Sequence, residues 1–132
     1  MTKAQDKAPT IDDIERLGRA ALATVPAVLA RHVRGVQIRV EEFPDPEIEQ
    51  EMGLESPFEL LGLYHGVSLE SQSVSDLPRA PDMIFLYRRP LLDYWCESGE
   101  SLGHLVRHVL IHEIGHHFGF SDADMEALEA EE

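Results

Sequence analysis

The residues best placed to do chemistry are His112-Glu113-Ile114-Gly115-His116. Side chains four apart on an α-helix stack on one face, so the two imidazoles can meet one metal ion. Glu113, the next residue on from His112, points about 100° round the helix. From there it can reach a metal-bound water without ligating the ion. This is the HExxH arrangement, with two zinc ligands and a general base. From the chain's own content of His and Glu, the pattern arises by chance at roughly 4% over all positions. Requiring also Gly119 and an Asp or His at position 122 lowers that to roughly 0.04%.

The motif needs a helix to carry it, and the flanking sequence supplies one. Ser101 can cap a helix in which Leu102, Leu105, Val106, Val109, Leu110, Ile114 and Phe118 form a buried stripe. Gly119 ends it as a C′ glycine does. Ser121 and Asp124 have the spacing of a capping box and open a last acidic helix to Glu132. Asp122 stands between, six residues past His116, either as a third ligand or as a charge at the start of the last helix. Asp124 reads as a cap first. Glu113 has a surface alternative, pairing with His117 at i+4. His104 and His108 continue the column 104–108–112–116, which reads as chance stacking, with His108 also able to line the cleft. Gly115 is expected to let another backbone approach the helix, and Cys96 to be a small core residue. Tyr64, Tyr87 and Tyr94 are each candidates for a hydrogen bond in the transition state or for plain packing. Arg88 and Arg89 read as solvating a strand end.

HEIGHHFGFSD resembles the HExxHxxGxxH/D zinc-binding pattern of metzincin-type metallopeptidases, with Asp122 where most members carry a third His. The longer string HEIGHHFGFSDADM is more similar still to small bacterial zincin-like metallopeptidases of about this length, and the apolar strand before Arg88-Arg89-Pro90 fits the same group. The resemblance is specific over 112–125, looser over 58–95 and weak before that. It departs from the metzincins at Met125, the only methionine downstream, which lies too close to the motif for their Met-turn. It implies a minimal zincin-like fold and a Zn²⁺ held by His112, His116 and Asp122. It further implies hydrolysis of peptide or protein substrates by a metal-bound water that Glu113 activates.

The elements that must hold this helix in place are legible upstream. Residues 1–9 are polar and end in Pro9, a flexible N-terminal arm; residues 10–132 read as a single domain. Thr10 is an N-cap for an amphipathic helix over about 11–32, which Pro26 kinks or splits. Val36, Ile38 and Val40 alternate with polar residues as a half-buried strand. Acidic residues 45–59 read as a solvated loop with a short helix. Leu60 to Leu69 suggests a second strand turning at His65-Gly66, followed by a long loop over 70–82. Met83 to Arg88 is the third and most apolar strand, central or covered on both faces, and stopped by Pro90. A short helix or turn begins at Leu91. The order predicts an α+β fold with a small mixed sheet of about three to four strands, a backing helix and the HExxH helix.

Composition narrows the function. The chain has 132 residues, 11 basic and 25 acidic, for a net charge of −14. A clamp on a phosphate backbone or an anionic membrane needs the opposite sign, so no nucleic-acid or membrane partner is expected. One cysteine excludes a multi-cysteine zinc site. No run approaches the roughly 18 apolar residues of a membrane span, and MTKAQDKAPT lacks a signal-peptide core, which points to the cytoplasm. Two alternatives to the peptidase remain. The motif is also similar to the HGxLHLxGYDH pattern of bacterial rRNA-maturation metal-dependent endoribonucleases, although Glu113 stands where that pattern has Gly. The other alternative is a non-catalytic, zinc-stabilised interaction module using the acidic 45–59 segment.

Overall fold

A computed structural model describes residues 7–66 and 82–130. Among these, the first helix α1 runs over Ile11–Leu22, opened by a capping box. The Thr10 side chain accepts from the Asp13 N–H, and Asp13 accepts from the Thr10 N–H. The 11–32 periodicity is split as expected at Pro26. This residue has no N–H to continue the ladder and instead sits as N-cap of a one-turn helix, α2, Ala27–Ala30.

Strand β1 is Gln37–Glu41, and the acidic stretch forms α3, Pro46–Met52, and a 3-10 turn over Pro57–Glu59. Strand β2 is Gly62–His65 and β3 is Met83–Tyr87. The sheet order is β1-β3-β2, with β3 parallel to β1 and antiparallel to β2. The most apolar strand is therefore central, as its composition requires. Ile38, Ile84 and Tyr64 lie opposite one another, as do Val40, Leu86 and Gly62, so these residues share one face. Ile84 and Leu86 are fully buried there. The rest of the second-strand region and the loop expected over 70–82 lie, apart from Asp82, outside the described residues.

Pro90 does not stop β3. Helix α4 begins directly at Arg88 and runs to Ser98 with Pro90 in its first turn, where a missing N–H costs nothing because the first N–H groups have no intrahelical partner. Cys96 falls on the exposed side of α4, so it is not a core residue; Leu91 faces the core instead. Arg88 is occupied structurally, with Nε donating to the Pro9 carbonyl at 2.7 Å and Nη1 pairing with Glu42 at 2.9 Å.

Helix α5, Leu102–His117, is capped by the Ser101 hydroxyl and buries Leu105, Val106, Leu110, Ile111 and Ile114 against α1 and the sheet. The chain then turns at Gly119, φ +83°, in the left-handed region that favours glycine. It returns as α6, Asp122–Glu129. Among the described residues this is a mixed α+β architecture with a three-stranded sheet, consistent with a minimal zincin-like fold. Among the described residues no helix is long and apolar enough to cross a membrane.

Candidate metal centre

Two elements bring the motif residues together. On α5, His112 and His116 point the same way, their ring centroids 5.8 Å apart in an edge-to-face arrangement. The turn at Gly119 then carries Asp122 back, so that its Oδ1 lies 3.3 Å from His116 Nε2. One ring nitrogen from each histidine and one Asp122 oxygen all lie within 4.8 Å of one another. Ligand atoms about 2.0–2.1 Å from a tetrahedral ion stand about 3.3 Å apart, so the His116–Asp122 spacing matches such an edge. Two imidazoles and a carboxylate also form a donor set suited to zinc. The three side chains grade from protected to open. His112 is 22% exposed, His116 55% and Asp122 83%, so the cluster opens to solvent on its His116–Asp122 side, from which a substrate can arrive.

Asp124 is spent differently. Its Oδ2 accepts from the Ser121 N–H at 3.2 Å, while Ser121 Oγ accepts from the Asp124 N–H at 3.1 Å. The capping box thus employs the second carboxylate and leaves the first one turned towards His116.

Glu113 turns away from the histidine face towards the sheet. In the antiparallel β2–β3 pair, the Tyr87 N–H donates to the Leu61 carbonyl. Residues 61, 63 and 65 therefore direct their backbone groups at β3, and Gly62 and Tyr64 direct theirs outward. The outward Tyr64 N–H donates to Glu113 Oε1 at 3.3 Å. Burial pushes the Glu113 carboxyl up from its ordinary value, with the Tyr64 N–H and the nearby His116 pulling it partly back. A raised carboxyl is better matched to a proton acceptor working near neutral pH. Burial likewise holds His112 below the ordinary imidazole value, and the neighbouring His108 charge adds to this while Glu129 opposes it. The neutral ring is the form that ligates a metal.

The family model for zincin-like metallopeptidases matches residues 33–132, three quarters of the chain. The chain belongs to that family. No curated protein matches it. In this zincin-like chain the matched segment begins just before β1 and contains the whole sheet, the motif helix and α6.

The other candidates are placed as follows. His117 stacks on Tyr64, with centroids 4.1 Å apart, and does not join the histidine face. The Tyr64 hydroxyl donates to Asp82 at 2.6 Å. Tyr87 is 2% exposed, and burial pushes its hydroxyl up to about 12; Tyr94 is exposed on α4. Gly115 does make room for a close approach, but the approaching group is a side chain and not a backbone. A Cβ there would overlap Met125 Sδ and Cγ.

His108 is where the structure most changes the reading. It does not merely continue a column: its ring lies 4.1 Å from that of His112, and its Nδ1 lies 2.6 Å from Glu129 Oε1. The HExxH motif and its flanks do not point to Glu129. Its signal was there as a spacing, because Asp122 and Glu129 are seven apart, two turns along one helix face. That spacing becomes meaningful only when α6 is known to fold back along α5.

Proposed function

We propose that this protein is a zinc-dependent peptidase whose ion is held by His112, His116 and Asp122 and whose general base is Glu113. The observation that carries the reading is the convergence of those three ligands around one point, with a partly buried carboxylate one residue from the first of them. Family membership supports the reaction class.

Bound in this set, zinc supplies a Lewis acid that polarises a peptide carbonyl and makes a water more acidic. The protein's own groups do the rest. Glu113 takes the proton of the attacking water on a carboxylate oxygen and then passes it to the leaving amine. The Tyr64 N–H orients that carboxylate, and the packed side of α5 shields it in part from solvent. β2 is an edge strand among the described residues. An extended peptide along its outer edge would gain affinity from main-chain pairing and lie alongside the base.

Net charge −14 and the presence of Glu113 weigh against the endoribonuclease-like alternative. The test is incubation of the zinc-loaded protein with a peptide library and, in parallel, with RNA, using Glu113→Gln as control. Peptide cleavage that the variant lacks is the expected result. Cleavage of RNA alone would overturn the peptidase reading. Retained zinc with no turnover of either would favour the interaction module.

A further inference from the structure

The strongest unused feature is the lower end of the histidine column. His108, His112 and Glu129 each offer one ligand atom, and these atoms all lie within 4.8 Å of one another. His112 Nε2 stands 3.4 Å from Glu129 Oε1, again close to the edge of about 3.3 Å that a tetrahedral ion imposes on its ligands. Both atoms are buried from solvent and neither has a hydrogen-bond partner. Buried polar atoms without partners are uncommon and destabilising, which makes this pair the clearest local demand for a ligand in the described residues. His108 Nδ1 stands 2.6 Å from Glu129 Oε1 without satisfying it, closer than that edge, so an ion held by all three would part these two atoms.

The geometry of the two helices explains why a second group exists at all. α6 runs antiparallel to α5, since Asp122 meets His116, Met125 meets Gly115 and Glu129 meets His108 and His112. Seven residues of helix advance about 10.5 Å and return to nearly the same face. Glu129 therefore lands level with the 108–112 step when Asp122 is level with His116. Two carboxylates on one helix face meet a column of three imidazoles on the other.

We propose that His108, His112 and Glu129 form a second binding position for a divalent transition cation, below the HExxH position and sharing His112 with it. Two imidazoles and a carboxylate favour a zinc-class ion over magnesium or calcium, whose oxygen preference this set does not meet. Because His112 belongs to both groups, an ion in one position competes with the other for that ring. The position needs no substrate and no turnover. It rests on the peptidase reading only in naming which of the two positions faces the base.

The test is zinc titration against a competing chelator, with three chains. They are the unaltered protein, the His116→Ala/Asp122→Ala double variant, and the triple variant adding Glu129→Gln. His116 and Asp122 are 55% and 83% exposed, so the double variant should fold, and circular dichroism with a melting curve checks this in all three. The expected result is tight binding by the unaltered chain and weaker binding of about one zinc per chain by the double variant. The triple variant should bind at least about tenfold more weakly than the double, the scale on which ligand-sphere changes act. If the double and triple variants bind zinc equally poorly, the lower position is overturned while the HExxH position stands. If the double variant binds as tightly as the unaltered chain and the triple does not bind, the lower position is supported and the assignment of the ion to His116 and Asp122 is overturned.

Discussion

At the residue scale the centre divides its carboxylates by what each backbone neighbour demands. Glu113 is held by an outward strand N–H, Asp124 by a helix cap, and Asp122 by neither, which leaves it to face His116. Glu113→Gln keeps the shape of the side chain and removes the carboxylate that we propose as the base. Zinc content should be unchanged, while hydrolysis falls by roughly 10²–10⁴. Metal analysis beside a peptide assay separates the two, and a loss of zinc would make Glu113 a ligand or a prop. The raised Glu113 carboxyl also has a consequence for stability without metal. Between its ordinary value and the raised one, the folded chain holds a proton that the unfolded chain has released. This group's contribution is therefore complete below the ordinary value and is lost as pH rises through the raised one. In EDTA, the melting temperature of the unaltered chain should fall relative to Glu113→Gln as pH climbs through that window. Parallel melting profiles would show that burial does not perturb the group. Asp122→Ala should weaken zinc binding by more than about 100-fold, beyond the 10–100-fold typical of losing an outer partner.

At the element scale, α6 matters more than its eight residues suggest. It delivers Asp122 and Glu129 to the two ends of the histidine column and seats Met125, fully buried, on Gly115. Asp124→Ala removes the reciprocal half of its cap and should cost about 0.5–2 kcal/mol while leaving zinc bound. Melting curves and metal analysis on the same sample check both halves of that statement. Gly115→Ala forces a methyl into the space of the Met125 thioether. The overlap should cost about 1–3 kcal/mol, as overpacked cores do, and push α6 away from α5. Zinc affinity should therefore drop together with the melting temperature, although Gly115 itself ligates nothing. An unchanged affinity would mean that α6 is positioned by its cap and turn alone.

At the scale of the whole molecule, the fold is a small sheet with one well-packed face. α1 lies close enough to it that a Cβ on Gly18 would come within 3.1 Å of Leu86 Cδ1. A metal that binds only the folded chain adds to the stability of so small a core by mass action, about 2.7 kcal/mol at a free concentration 100 times Kd. Zinc removal by chelator should lower the melting temperature of the unaltered chain and leave that of the triple variant unmoved. A chelator effect of equal size on both would place the stabilising ion elsewhere.

Local physics was enough for much of this protein. Helix starts at Thr10, Ser101 and Ser121 follow from side chains that satisfy free N–H groups, and the break at Pro26 from a missing donor. The HExxH spacing follows from helical periodicity, and the centrality of β3 from its unbroken apolar run. Such features depend on neighbours within a turn or two, so they are written in the order of residues. Three features are not. Cys96 is exposed because α4 packs Pro90 and Leu91 against the core, and Cys96, five residues past Leu91, falls about 140° round the helix from it. Gly115 is small because Met125, ten residues on, occupies the space beside it. His108 and Glu129 meet across 21 residues because α6 turns back along α5. Each is a contact between elements, set by the direction in which one packs against another, and no period within a single element records that direction.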